Sequence, residues 1–238
     1  MDKLITCENI RDFAYVNEKL CRKPIRGIVL SFFGLGSCCI YNDDIPEGEL
    51  YGKEGLLYVA PYTNPWSWMN AAAVAYADEV VDVLIEKYSL PGDIPVVSTG
   101  GSMGGQSALV YSLFSKRTPV ACVTDCPVCD AVFHYTERND LPRTFYSALW
   151  NEPGPIEEAL KNISPLHLVN RLPRIPYFIF YGTADSLVSP EAHVKKFAAL
   201  MSENGHDITV CCDEGSEHCN LSPSAKAKFA ECIIKSVG

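Results

Sequence analysis

Short apolar runs and amphipathic stretches alternate along most of this chain. Residues 25–33, 56–60, 94–97, 119–124, 176–181 and 208–212 are rich in β-branched and aromatic side chains and are bounded by Gly, Pro or Asn. Each predicts a buried strand. Between them lie helical patterns. In residues 68–88, Val74, Ala77, Val81, Leu84 and Tyr88 recur at alternating spacings of three and four, which places them on one helix face. A second helix is predicted from Met103 to about Ser115. Ser189-Pro190 opens a third that Asn204-Gly205 closes, and Ser222-Pro223 opens a last one with Phe229 and Ile233 on its inner face. Strands that are apolar on both sides and alternate with helices predict a mostly parallel sheet with helices on both faces, an α/β fold.

Three stretches depart from this rhythm. Residues 1–24 give no clear pattern. Residues 42–55 are acidic and turn-rich and predict a surface loop. Residues 126–174 carry many prolines and aromatics, among them Phe133, Tyr135, Phe145, Tyr146 and Trp150, but no strand run. That is too long for a plain loop. It predicts a mostly helical, lid-like insertion over the carboxyl ends of the strands, within one domain spanning residues 1–238.

Composition narrows the field. A net charge of −9 argues against a nucleic-acid partner, which needs a basic footprint. No run approaches the ~18 consecutive apolar residues of a membrane span. Residues 1–7 show no long apolar leader run, so a cytoplasmic location is expected. Eleven cysteines, an odd number, are then expected as free thiols. Cys122, Cys211 and Cys232 lie in apolar company, and the adjacent pairs Cys38-Cys39 and Cys211-Cys212 are expected to pack in strands.

Candidate chemistry centres on Gly100-Gly101-Ser102-Met103-Gly104, which fits G-x-S-x-G between a predicted strand and a predicted helix. This pattern makes a sharp turn that strains the serine backbone and exposes its hydroxyl above the sheet edge. Two further strand ends carry reactive groups. Asp185 follows the run at 176–181, and His218 follows the run at 208–212. Ligands of open parallel sheets gather where strands end. In the order Ser, Asp, His, these residues form a candidate nucleophilic triad. His218 takes the proton of Ser102, and Asp185 holds the imidazole. The amide of Met103, the residue after the nucleophile, is the first oxyanion donor. Phe33 or Gly34, in the turn after residues 25–33, is expected to supply the second.

With these motifs the chain resembles the α/β-hydrolase superfamily. Within it, it is similar to compact bacterial esterases and to prolyl-oligopeptidase-like or dienelactone-hydrolase-like serine hydrolases. The G-G-S-M-G-G turn, the Y-G-T-A-D-S-L-V-S-P stretch at 181–190 and the E-G-S-E-H loop at 214–218 carry the likeness, which covers roughly residues 25–238. The resemblance implies an acyl-enzyme mechanism with no metal and no cofactor, and the expected substrate is a small to medium carboxylic ester. Two departures stand out. Residues 31–36 read S-F-F-G-L-G, without the histidine common in the family's oxyanion loop. The N-terminal part is short, so the sheet is expected to lack an edge strand.

Other readings remain open. Trp66, Trp68 or an insertion aromatic can line the substrate pocket. A peptidase would need a charged anchor for the substrate terminus, and Arg138, Arg143 or a glutamate of the insertion could serve. A ligand-binding protein without turnover is a third reading. Cys126-Pro127-Val128-Cys129 fits C-x-x-C and leaves open a thioredoxin-type redox role; it has no second pair for a zinc site, and the plainer reading is two small apolar residues at the pocket rim. His134, His167, His193 and His206 lie outside the third strand end. Asp213, Glu214 and Glu217 are expected as solvated loop carboxylates.

Overall fold

Alternation within the strands decides how the sheet is covered. In the computed structural model, which describes residues 4–238, β1 (Ala14–Val16), β2 (Gly27–Phe32), β3 (Leu56–Pro61), β4 (Val96–Gly101), β5 (Ala121–Asp125), β6 (Tyr177–Gly182) and β7 (Ile208–Asp213) form one sheet in the order β1-β3-β2-β4-β5-β6-β7. Every neighbouring pair is parallel except β1 with β3. Met1–Lys3, part of the stretch read as lacking an apolar leader, lie outside the described residues. No helix among the described residues is long and apolar enough to cross a membrane.

Side chains of a strand point alternately to opposite faces. Ile28, Leu30, Val96, Cys122, Tyr177 and Ile179 bury on one face. They meet α3 (Ala71–Lys87), α4 (Met103–Phe114) and α9 (Lys196–Glu203), through Ala77, Val81, Leu109 and Phe197 among others. Val29, Val97, Val123 and Phe180 bury on the other, against Tyr51 of α2 (Pro46–Lys53) and Ala230 and Ile233 of α10 (Pro223–Ser236). The strands therefore read as continuous apolar runs, because both faces are dry. Asn70 caps α3, its side chain accepting from the Ala73 amide at 3.0 Å, so the helix begins three residues after Trp68. Ser222 caps α10 in the same way. The helix after Ser189-Pro190 opens with a π-type turn, Glu191–Lys195, before α9.

At one edge of the sheet lies β1, which follows α1 (Ile10–Phe13) in the N-terminal stretch that gave no pattern. Two expectations are corrected. The acidic segment at 42–55 holds α2, which packs Tyr51 flat against Tyr58 of β3, ring centroids 5.4 Å apart. Cys38 and Cys39 lie outside any strand and are exposed, and Cys212 of β7 is exposed beside its buried neighbour Cys211.

Between β5 and β6 the chain forms α5 (Ala131–Glu137), α6 (Leu141–Leu149), α7 (Ile156–Asn162) and α8 (Pro165–Leu168). Phe145, Leu149, Leu160 and Ile163 make a separate apolar cluster there, and it closes on Trp68 and Met103. The insertion thus seats its core on the first residue of α4, directly beside Ser102.

Candidate active site

β4 continues through Ser98, Thr99, Gly100 and Gly101, so the small residues belong to the strand. Ser102 then turns the chain into α4 with φ 58° and ψ −125°, a conformation that L residues rarely adopt. Backbone bonds over-determine it. The Ser102 amide donates to the Asp125 carbonyl at 3.0 Å. Its own carbonyl accepts from the Gln106 and Val128 amides at 3.1 and 3.3 Å. Gly104 is required by close approach, since a Cβ there would sit 2.1 Å from the Phe32 carbonyl oxygen.

Asp185 and His218 meet by a similar device. Gly182 lets the turn after β6 pass the loop after β7, because a Cβ on it would lie 2.1 Å from the Ser216 carbonyl oxygen. The Ala184 amide donates to that carbonyl at 3.0 Å. Asp213 clamps the same loop, accepting from the Ser216 hydroxyl at 2.5 Å, the Ser222 amide at 2.6 Å and the Ser222 hydroxyl at 2.8 Å. It is therefore a loop anchor as well as the partly solvated carboxylate expected.

Asp185 accepts from the Leu187 and Val188 amides, both at 2.9 Å, on one oxygen, and meets His218 Nδ1 at 2.7 Å with the other. Burial pushes the Asp185 carboxyl up. The bonds from His218 and the two amides outweigh that and hold it below the usual range. Burial would lower His218, but its contacts with Asp185 and Cys219 raise it overall. A carboxylate on Nδ1 places that proton between the two residues and leaves Nε2 as the free imidazole nitrogen.

Ser102 and His218 line one cavity of about 330 Å³, together with Gly34, Leu35, Trp68, His134, Arg138, Leu187, Val188 and Cys219. Of the two expected second oxyanion donors, Gly34 lines this cavity. Phe33 lines a larger neighbour of about 710 Å³, which shares Gly34 and Cys219 as walls. Met103, the first residue of α4, is buried. Asp125 faces the larger cavity, and burial pushes its carboxyl up to about 7.

The far wall comes from the insertion and from the approach to α3. Trp68 and Met69 both have left-handed backbones, φ 44° and 48°. The Trp68 ring stacks on Phe145 at 4.0 Å, meets His134 edge-on at 5.7 Å, and donates from Nε1 to Thr144 Oγ1 at 3.0 Å. Among the candidate aromatics, Trp68 is the one that lines the cavity. Trp66 lies under the Arg143 guanidinium elsewhere, Phe145 backs Trp68, and Phe133, Tyr146 and Trp150 are exposed.

His134 is held by a buried network that local sequence does not reveal. His193 Nδ1 accepts from the Asp130 amide at 3.1 Å, which leaves its proton on Nε2 to donate to Glu137 Oε2 at 3.0 Å. His134 Nδ1 bonds the same carboxylate oxygen. Burial pushes Glu137 up, but the two imidazoles reverse this and hold it below its ordinary value, and burial lowers His193. The next residue after this network, Arg138, pairs with Asp140 through two bonds at 2.7 and 3.0 Å and faces the cavity.

Gln106, four residues past the serine, ties the walls together. Its buried side chain donates to the carbonyls of Trp68 at 3.2 Å and Ile163 at 2.7 Å. The C-x-x-C cysteines do not pair. Cys129 is buried against the Pro127 carbonyl, whereas Cys126 Sγ lies 3.1 Å from Cys219 Sγ. Among the described residues two groups have metal-donor atoms within 4.8 Å of one another: His134, Glu137 and His193, and Cys126, His218 and Cys219. In the first group the His193 tautomer points a proton, not a lone pair, at its neighbours.

The same fold recurs in solved structures. The chain superposes on esterase 2 of Thermogutta terrifontis in its apo form with a TM-score of 0.67 at 21% identity, covering 92% of this chain and 86% of that one. A puromycin-hydrolyzing peptidase of Mycobacterium tuberculosis gives 0.74 at 15% identity, covering 91% and 34%. The acylaminoacyl peptidase of Pyrococcus horikoshii gives 0.72 at 11%, covering 89% and 37%. The chain thus spans about a third of the length of those two peptidases. A sequence comparison with curated proteins gives no match. The sequence model of the prolyl oligopeptidase family, in contrast, matches residues 74–235, more than half of the chain and all three strand ends that carry Ser102, Asp185 and His218. By this match the chain is a member of the prolyl oligopeptidase family, on an α/β-hydrolase fold.

Proposed function

We propose that this protein is a serine hydrolase that cleaves small to medium carboxylic esters through an acyl-enzyme intermediate. One observation carries the reading. Ser102 sits in a strained turn and opens on a cavity shared with His218, whose other nitrogen is bonded to buried Asp185. In this reading His218 Nε2 takes the Ser102 proton as the hydroxyl oxygen attacks the ester carbonyl. Asp185 stabilises the imidazolium that forms. The amides of Met103 and Gly34 are assigned to the oxyanion, because Gly34 lines the cavity of Ser102 whereas Phe33 lines the larger neighbour. His218 then protonates the departing alcohol, and a water, activated in the same way, releases the acid.

The modest cavity supports a small acyl or alcohol group, and the insertion at residues 126–174 acts as its lid-like cover, through His134 and Arg138. Eleven free cysteines support a reducing compartment, and the reading assigns the enzyme to the cytoplasm. A peptidase reading is favoured by one observation, the presence of Arg138 in the cavity, where it could hold a substrate carboxylate.

The test is labelling by a fluorophosphonate, comparing wild type with Ser102→Ala, followed by a p-nitrophenyl ester chain-length series against aminoacyl p-nitroanilides. Labelling that vanishes in the variant, with ester turnover falling steeply beyond short acyl chains, supports the reading. Labelling that survives in Ser102→Ala refutes it, and faster anilide than ester turnover replaces it with the peptidase.

A further inference from the structure

Cys126 and Cys219 are separated by 93 positions in the sequence, yet their sulfurs touch at 3.1 Å. Cys126 directly follows β5, held by the hydrogen bond its amide donates to the Phe180 carbonyl at 2.7 Å, and Cys219 directly follows His218. Both have left-handed backbones, φ 39° and 52°. Two such positions facing one another indicate a strained pair held by the surrounding structure. A ring nitrogen of His218 completes a set of three donor atoms, all within 4.8 Å of one another. Cys219 is exposed and forms a wall of both cavities, so the set is reached from the Cys219 side, while Cys126 is buried.

We propose that Cys126, Cys219 and His218 form a site for a thiophilic divalent cation, Zn²⁺ first among them, and that its occupancy switches the hydrolase off. The inhibitory part rests on the function proposed above; the binding part does not. Two thiolates and one imidazole are a donor set that zinc favours, and three protein ligands leave a fourth position for water. The second shell is already built. Asp185 accepts from His218 Nδ1 at 2.7 Å, which fixes the ring and leaves Nε2 to face the metal, as in carboxylate–histidine–zinc arrangements. Zinc–sulfur bonds of about 2.3 Å in a tetrahedron hold two sulfurs roughly 3.7 Å apart. Exposed Cys219 needs only a small rotation to open the pair that far. On binding, the two thiols lose their protons to solvent and the metal takes the Nε2 lone pair. His218 then has no lone pair left to accept the Ser102 proton, so hydrolysis stops until the cation is removed.

The other histidine cluster does not compete for this role, because the Asp130 amide on His193 Nδ1 commits its Nε2 proton to Glu137. Nor do Cys38 and Cys39, which are exposed and bring no histidine with them.

The experiment uses full-length protein reduced with a phosphine. Zn²⁺ is titrated against ester hydrolysis, and Co²⁺ is titrated in parallel for its thiolate-to-metal absorption band. Wild type is expected to lose activity as one equivalent of Zn²⁺ binds and to regain it with EDTA. Cys126→Ala and Cys219→Ala should each raise the half-inhibitory concentration at least about tenfold and remove the two-thiolate cobalt band. Cys38→Ala should leave both readouts unchanged. Cys219→Ser serves if Cys219→Ala does not fold. Ser102→Ala separates the two claims, since it lacks the proposed nucleophile but keeps every ligand. A full cobalt band in Ser102→Ala upholds the site even if the hydrolase reading fails. Absence of that band, or equal zinc sensitivity in wild type and Cys219→Ala, overturns the proposal.

Discussion

The cavity has two walls, and they are held by different means. The wall that bears Ser102, Asp185 and His218 sits on strand ends and is fixed by backbone. Amides and carbonyls grip Ser102, and two glycines allow main chains to pass where no Cβ would fit. The opposite wall, Trp68, His134 and Arg138, is fixed by side chains, through a stacked ring, a carboxylate shared by two imidazoles, and Gln106 reaching across. Backbone contacts tolerate little movement, which suits groups that must meet within hydrogen-bond distance. Side-chain networks can be rebuilt by a few substitutions, which suits a surface that selects substrates. In the function proposed above this becomes a division of labour: the sheet edge would carry the reaction, and the insertion together with Trp68 would carry selectivity.

Variants can break this division. The largest effect is expected at Ser102→Ala, where kcat should fall by roughly 10⁶ with the melting temperature preserved, since the fold does not depend on the hydroxyl. Comparable loss with every substrate is the signature of the strand-end wall. A merely severalfold loss would show the nucleophile to be elsewhere.

Next comes Gly104→Val. Its Cβ meets the Phe32 carbonyl oxygen, so a cost of about 3 kcal/mol or more is expected in urea unfolding, together with loss of fluorophosphonate labelling. A variant of wild-type stability would remove the claim that close backbone approach holds the elbow.

Glu137→Ala tests the other wall. It removes the carboxylate oxygen that both buried imidazoles share, so their N–H groups lose their partner, at roughly 1–3 kcal/mol each. KM should change and the chain-length profile shift, while labelling of Ser102 persists. Labelling lost along with binding would merge the two walls into one unit.

The smallest effect lies outside both walls. Asp82 of α3 pairs with Lys116 at 2.9 Å and with Arg117, just past α4. Burial pushes its carboxyl up, but these two cations hold it below the ordinary aspartate value. A carboxyl lowered in the folded state contributes stability above its unfolded pKa of about 4 and loses it as pH falls through the folded value. Asp82→Asn should therefore cost at most about 1 kcal/mol at pH 7, with the gap in melting temperature closing below pH 4 and catalysis unchanged. A gap that widens in acid would reverse the assignment.

The sequence alone determined most of the sheet and the three strand ends that carry Ser102, Asp185 and His218. The reason is physical: strands dry on both faces must be apolar throughout, and a strained turn of the G-x-S-x-G kind demands small residues at fixed offsets, so both write themselves into short local patterns. Weaker local signals were less legible. β1 is only three residues long, and α2 buries a single aromatic ring on one side, so neither has the length for a period to show. Ser98 and Gly100 read as a break in the pattern, although they continue β4 at the centre of the sheet, where the ladder on both sides needs no large side chain. Only the tertiary structure decided what surrounds the candidate triad. His134 meets His193 across 59 positions and Cys126 meets Cys219 across 93, on segments with no shared pattern. Such meetings are set by how the insertion and the loop after β7 fold back over the strand ends, and that is a property of packing rather than of any stretch of sequence.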